Sequence, residues 1–133
     1  MTRTLPTKKL GHQIEALVCD YLRQRKLKFI ERNYQCRLGE IDLIMSDQST
    51  LVFIEVRYRQ RHHFGSSLES VNLIKQNKII KTAEYYLLSQ QLSEKITCRF
   101  DVVGVKPPTN KLLGNISKLD SAQVEWIKNA FSR

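Results

Sequence analysis

Two carboxylates stand where carboxylates are costly. The segment Gly39-Glu40-Ile41-Asp42-Leu43-Ile44-Met45 and the segment Leu51-Val52-Phe53-Ile54-Glu55-Val56-Arg57-Tyr58-Arg59 read as two apolar strands, each with an acid inside. Acids are poor strand residues and lose free energy when buried unpaired. Two of them in adjacent buried strands point to a bound cation, and so to a metal-dependent reaction. Side chains alternate faces along a strand, so Glu55 and Arg57 share a face with Leu51 and Phe53, and Asp42 shares one with Glu40 and Ile44. Whether these faces coincide depends on the link Ser46–Thr50. A two-residue loop (Gln48, Ser49) or a four-residue loop (Asp47–Thr50) sets Asp42 opposite Glu55, whereas a three-residue loop sets it opposite Ile54. The paired register also matches Ile44 with Phe53, Met45 with Val52, Leu43 with Ile54 and Ile41 with Val56, and is favoured for that reason. Opposed Cβ atoms then lie about 4.5–5.5 Å apart. Two carboxylates that close repel unless a cation or an arginine neutralises them. Oxygen ligands with retained waters suit Mg²⁺ or Mn²⁺ better than Zn²⁺. The competing reading is a structural ion pair of Glu55 with Arg57 or Arg59, which spacing alone does not exclude.

Other charged side chains could serve the same place. Glu15 lies on one helical stripe with Val18, Cys19 and Leu22, an odd position for a carboxylate unless it points at a positive group such as the same metal or Arg57. Lys75 and Lys78 on a later helix could face one groove, while Lys81, in step with them, reads as solvated. The basic run Arg57, Arg59, Arg61 leaves the Glu55 strand, and with Lys75 and Lys78 it could hold phosphates. His62-His63 is a poor ligand pair and reads as loop. Asp101 shares a strand face with Arg99 and reads as structural. Tyr58 and Trp126 read as packing.

The elements that must position these residues begin with a helix from about Lys8 to Lys26, with Ile14, Leu17, Tyr21 and Leu22 at helical spacing and Thr7 as a candidate cap. A strand near Phe29–Tyr34 precedes the two acid-bearing strands. A second helix runs from about Leu68 to Gln90, its apolar face expected at Val71, Ile74, Ile79, Ala83, Tyr86 and Leu87. Between them, Gly65 marks a loop. A strand over Ile96–Val105 contains Gly104 near its end and stops at Pro107-Pro108. The segment Ser117–Arg133 fits either a short strand at Val124–Ile127 or a helix started by Asp120 or Ser121. The order is α-β-β-β-α-β plus a C-terminal element, an α/β protein with a central mixed sheet flanked by helices. The helix between strands predicts a parallel crossover, and the apolar strands suit a sheet covered on both faces.

The chain has 133 residues, enough for one domain, 1–133. Its 22 basic and 13 acidic residues give a net charge of +9, the footprint of a polyanion partner, most often nucleic acid. No apolar run approaches a membrane span of about 20 residues, and the N-terminus has no signal-peptide core. Cys19, Cys36 and Cys98 are widely spaced and odd in number, which argues for reduced thiols in a cytoplasmic protein and against structural zinc. Cys19 and Cys98 sit in apolar surroundings and read as small core residues.

The segment Gly39–Arg59 resembles the YraN-like family and, through it, the PD-(D/E)xK nuclease superfamily, which includes Holliday-junction resolvases and restriction endonucleases. The resemblance covers most of the chain: Gly11-x-x-x-Glu15, the two acid-bearing strands, Lys75-Gln76, Cys98–Val103 and Val124–Phe131. It implies a restriction-endonuclease-like core and a Mg²⁺- or Mn²⁺-dependent endonuclease acting on nucleic acid, on DNA rather than RNA, with branched DNA among the candidate substrates. The alternative is a nuclease-fold module that binds without cutting. By position, the resemblance makes Asp42 and Glu55 metal ligands with the main-chain carbonyl of Val56, and Glu15 the first-helix acid of the resolvase-like branch. Arg57 stands where the superfamily has its lysine. Arginine effectively cannot give up its proton, so Arg57 would orient the attacking water or stabilise transition-state charge, or else the lysine role passes to Lys75. The resolvase likeness also allows a homodimer.

Overall fold

The fold is described from a computed structural model, for residues 7–58, 67–92, 95–106 and 117–133 and, within the first helix, for side chains from Lys9 onward. Helix α1 spans Thr7–Gln24, followed by strands β1 (Lys28–Cys36), β2 (Gly39–Asp47) and β3 (Thr50–Tyr58). A 3-10 turn at Ser67–Ser70 leads into helix α2 (Leu73–Ser89), then strand β4 (Cys98–Val105) and strand β5 (Val124–Phe131). The five strands form one mixed sheet in sequential order, β1-β2-β3-β4-β5. Only β3 and β4 are parallel, joined through α2, and the other neighbours are antiparallel. This α/β arrangement, with helices on both faces of the sheet, has the element order of a restriction-endonuclease-like core.

Both faces of the sheet are covered, as the apolar strands predict. On one face Ile14, Val18 and Leu22 of α1 pack on Leu43, Met45, Val52 and Ile54. On the other, Ile79, Ala83, Tyr86 and Leu87 of α2 pack on Ile44, Phe53, Phe100 and Val102. Val52 and Ile54 face α1 while Leu51 and Phe53 face α2, the alternation a pleated strand requires. Among the described residues, no helix is long and apolar enough to cross a membrane.

Two expected features differ. Ile74 is 70% exposed and does not join the buried face of α2. The helix starts later than its apolar pattern suggests, because Asn72 caps it by accepting from the N–H of Lys75, and Val71 is buried just ahead of it. The C-terminal segment combines both readings. Asp120 caps one short turn, Ser121–Gln123, through a capping box, and the chain then enters β5. The strand wins beyond that point because it pairs with β4 from Val105–Val124 to Phe100–Phe131.

Asp101 has the structural role expected of it. It is fully buried on β4 and receives Arg99 Nε at 3.0 Å, Trp126 Nε1 at 2.9 Å and the N–H of Asn129 at 2.9 Å. Arg99 also reaches Asp47 at 3.0 Å, tying the β2–β3 turn to β4 and β5. Gly104 admits a close crossing: a Cβ there would overlap the side chain of buried Ser67, whose N–H donates to Glu125 Oε1. That contact fixes the chain just ahead of α2.

Candidate active site

The decisive feature is where the β2–β3 ladder ends. The link between the strands is the two-residue loop Gln48-Ser49, closed by the pair Asp47–Thr50. The register then runs Ser46–Leu51, Met45–Val52, Ile44–Phe53 and Leu43–Ile54, and stops. The next pairs, Asp42–Glu55 and Ile41–Val56, do not form as ladder pairs. The N–H of Val56 donates instead to Asp42 Oδ2 at 2.8 Å. In a continued ladder it would serve the Ile41 carbonyl. The carboxylate has thus taken a main-chain bond, and the strands open around it. Past this point Ile41 leaves the face of Leu43 and Met45 and joins the α2-side core.

The opening is the floor of a cleft of about 630 Å³. Helix α1 contributes Gly11 and Glu15, strands β2 and β3 contribute Asp42, Glu55, Val56 and Arg57, and α2 contributes Lys75 and Lys78. Seven residues proposed from the sequence, Glu15, Asp42, Glu55, Val56, Arg57, Lys75 and Lys78, therefore meet in one place, although they come from four elements. Lys81 is not among the lining residues, in keeping with a solvated lysine. Arg59, Arg61, His62 and His63 lie outside the described residues, as do Gly65 and Pro107-Pro108.

Glycine at position 39 makes the near wall. Its φ is +153°, and a Cβ would sit 2.8 Å from Thr82 Oγ1 and 3.8 Å from the Lys78 carbonyl. Only glycine lets β2 begin this close to α2, which brings the Lys75–Lys78 turn over the carboxylates. Gly11 is different. A Cβ there would meet nothing within 4 Å. Its absence leaves room at the cleft mouth one helical turn before Glu15.

Electrostatics set this cluster apart from the rest of the molecule. Glu55 is pushed up from 4.5 to about 9, first by burial and then by its hydrogen bond to Asp42 and the charge of Asp42. Arg57 and Lys75 oppose that rise. Glu15 is pushed up to about 7, again first by burial and then by Asp42, with Asn33 and Arg32 acting the other way. Glu15 Oε1 is buried without a hydrogen-bond partner. The guanidinium of Arg57 lies 3.4 Å from Glu55 Oε2, so the ion pair anticipated as the competing reading is present, but its buried Nε also lacks a partner. Four acids, Glu15, Glu40, Asp42 and Glu55, line the cleft against three cations, Arg57, Lys75 and Lys78; two of the acids hold protons well above their ordinary range, and an acid oxygen is left over.

That deficit of positive charge fits a divalent cation. Among the described residues, no three His, Cys, Asp or Glu side chains close into a ready-made cage. Asp42 Oδ2 is committed to Val56, and Glu55 Oε2 to Arg57. Mg²⁺ does not need an all-protein cage, since it is commonly held by one or two carboxylates with retained waters. Asp42, Glu55 and the Val56 carbonyl are the donors of the right class, with Glu15 near enough to be electrostatically coupled to Asp42.

Some participants were not legible beforehand. Asn33, in a left-handed conformation on β1, hydrogen-bonds Glu15, and Cys36 and Gln35 line the cleft from the β1–β2 hairpin. Only the tolerance of asparagine for positive φ is a local signal for any of them. Tyr58 both packs on the α1-side core and borders the cleft, so the packing role assigned from sequence is incomplete.

Residues 14–105, which include Glu15, Asp42, Glu55, Lys75 and Lys78, match the family model described as "Uncharacterised protein family UPF0102". The chain belongs to that family. A UPF0102 protein of Coxiella burnetii is 45% identical over 124 residues, 93% of this chain and 92% of the relative. One from Nitrosococcus oceani is 43% identical over 121 residues, 91% of this chain and 90% of the relative. A third, from Legionella pneumophila, is 40% identical over 125 residues, 94% and 96% of the two chains. The kinship of the UPF0102 proteins thus extends over nearly the whole chain, which is the kinship expected from the acid-bearing strands. The family description carries no reaction, so chemistry must be argued from the cleft.

Proposed function

We propose that this UPF0102 protein is a Mg²⁺- or Mn²⁺-dependent endonuclease of the PD-(D/E)xK type, hydrolysing a phosphodiester of nucleic acid, DNA rather than RNA. The observation that carries this reading is the convergence of Glu15, Asp42 and Glu55 from three separate elements on one cleft walled by Arg57, Lys75 and Lys78. Asp42, Glu55 and the Val56 carbonyl would hold the cation. When bound, it supplies a lowered pKa for a water and neutralises charge at the scissile phosphate. The chain's own residues do the rest. The Val56 N–H fixes the rotamer of Asp42. Arg57, once drawn from Glu55, stabilises charge that grows on the phosphoryl oxygens as water adds to phosphorus and the ester P–O bond breaks. Lys75, above Glu55, orients the attacking water or gives a proton to the leaving oxygen. Lys78, with Arg59 and Arg61, holds flanking phosphates, contacts that are independent of sequence and weaken with salt.

A second reading is a nuclease-fold module that binds nucleic acid without cutting. The 3.4 Å pair of Arg57 with Glu55 favours it, because a guanidinium already occupies part of the charge deficit. Cleavage of branched, single-stranded and duplex DNA and of RNA, with Mg²⁺ or Mn²⁺ and an Asp42→Ala control, separates the two. Metal-dependent products lost in Asp42→Ala support the enzyme. Salt-sensitive binding that survives Asp42→Ala, with no cleavage of any substrate, supports the binding module.

A further inference from the structure

Helix α2 carries a second surface that the cleft does not use. Ile74, Lys78, Lys81, Tyr85 and Leu88 follow one another at steps of four and three residues, so they form a single stripe about 21 Å long. All five are exposed. Ile74 and Leu88 are 70% and 73% accessible, and Tyr85, an aromatic ring, 41%. The stripe lies well away from Ile79, Ala83, Tyr86 and Leu87, which pack on the sheet. It meets the cleft at Lys78, which belongs to both. The β1–β2 hairpin stands beside it: Gly39 meets α2 at Thr82 and Lys78, which brings the exposed Arg37 of that hairpin to the same side.

An exposed stripe at this spacing is also what a helix pairing with a second copy of itself would show. The charges argue against that partner. Self-pairing would draw Lys78 and Lys81 of both helices into one seam without an acid on the stripe to meet them, and buried unpaired charge is costly. Lysines interleaved with an aromatic ring and apolar side chains instead match a strand that offers phosphates and base faces together. In duplex DNA the base faces are stacked away from a helix surface, so only an unpaired strand offers both.

We propose that the α2 stripe binds an unpaired strand of nucleic acid leading out of the cleft, with a base stacked on Tyr85 and phosphates on Lys78 and Lys81. This rests on the endonuclease reading for its direction and makes the substrate class one with a single-stranded segment beside the scissile phosphate. The stripe itself is a binding surface, and can be tested without catalysis.

The test is fluorescence anisotropy of the full chain in EDTA with a labelled oligo-dT strand, an oligo-rU strand and a duplex of the same length. Tyr85 is exposed, so Tyr85→Ala should fold, which circular dichroism checks. The expected result is a loss of affinity of about tenfold or more for the single strands, a typical cost of removing one stacking platform, with duplex affinity changed by less than twofold. Lys81→Ala should lower the salt slope for the single strand by about 0.7, one phosphate contact. Equal losses on strand and duplex, or no loss on either, overturn the proposal. So does a concentration-dependent dimer of the wild type, seen by sedimentation, that Tyr85→Ala dissolves. Metal-dependent cleavage sensitive to Asp42→Ala, found without the Tyr85 split, rejects the stripe and leaves the enzyme reading standing. The split without any cleavage keeps the stripe and rejects the enzyme.

Discussion

Replacing Glu55 by glutamine should stabilise the metal-free protein in alkaline solution, and the size of the effect follows from the cleft. Glu55 holds its proton up to about 9 in the folded chain against 4.5 for the free group, and Glu15 to about 7. Both folded pKa values are raised. Below about 4.5 these acids are protonated in folded and unfolded chains alike, and they cost nothing. As pH rises past 4.5 the unfolded chain releases its protons while the folded one retains them, so stability falls until pH passes the folded values. At about 1.4 kcal/mol for each pH unit, the rise from 4.5 to about 9 sets a ceiling of roughly 6 kcal/mol for Glu55. Its side chain is 14% exposed and can relax toward Arg57. A stabilisation of about 2–3 kcal/mol for Glu55→Gln at pH 8.5, shrinking toward zero near pH 5, is therefore the expected size. The assay is urea unfolding in EDTA at pH 5.5, 7 and 8.5. Comparing the variant with the wild type removes the pH trends that the two proteins share. Wild type should also gain from metal: at 10 mM Mg²⁺ and a dissociation constant of about 1 mM the gain is about 1.4 kcal/mol, or a rise of about 3–6 °C in Tm. Glu55→Gln should lose that response. Parallel pH profiles for the two proteins, with no metal-dependent shift in Tm, would refute the reasoning.

Arg57→Ala should separate binding from chemistry. Freed of its ion pair, Glu55 binds Mn²⁺ more tightly in isothermal titration, while cleavage falls about 10²–10³-fold, as expected when a donor to transition-state charge is removed; unchanged cleavage would exclude Arg57 from the reaction. Gly39→Ala should cost about 1–3 kcal/mol in urea unfolding, from a strained φ and the contact with Thr82, and should weaken nucleic-acid binding because Lys75 and Lys78 shift with α2. Asp101→Ala should cost about 3–5 kcal/mol, since it leaves Trp126 Nε1 and the Asn129 N–H without their acceptor and Arg99 with Asp47 alone, but leave the metal-induced gain in Tm intact; loss of that gain would place Asp101 in the site after all.

Much of the site was legible because strand periodicity is a strong constraint. Once Ile44, Met45 and Leu43 had to match Phe53, Val52 and Ile54, a short even loop followed, and Asp42 and Glu55 had to come together at the end of the hairpin. Helical spacing did the same for Glu15 on α1. Reading failed where tertiary contact overrides local pattern. Ile74 lies on the exposed side of α2, about half a turn round the helix from Ala83, and not on the side that Ile79, Ala83, Tyr86 and Leu87 turn to the sheet. Val124–Ile127 is compatible with helix or strand, and pairing with β4 decides it. The roles of Asn33 and Cys36 depend on how the β1–β2 hairpin folds over α1 and α2, which no local pattern specifies.

The detail that periodicity could not supply is the one that makes the cleft. An unbroken ladder through Asp42–Glu55 would have set the two acids side by side on a closed sheet, with little room for a ligand between them. Asp42 prevents closure by taking the Val56 N–H for itself, and the strands part beyond the pair Leu43–Ile54. The same bond occupies Asp42 Oδ2, and Glu55 and Glu15 gather on the rest of the Asp42 carboxyl group. A single aspartate thus ends the sheet and begins the site. An Asp42→Asn variant tests the two roles apart: the amide oxygen can still accept from Val56, so unfolding in EDTA should change by less than about 1 kcal/mol, while the metal-induced rise in Tm should vanish. Loss of both would mean that the charge of Asp42, and not the geometry of its bond, holds the strands open.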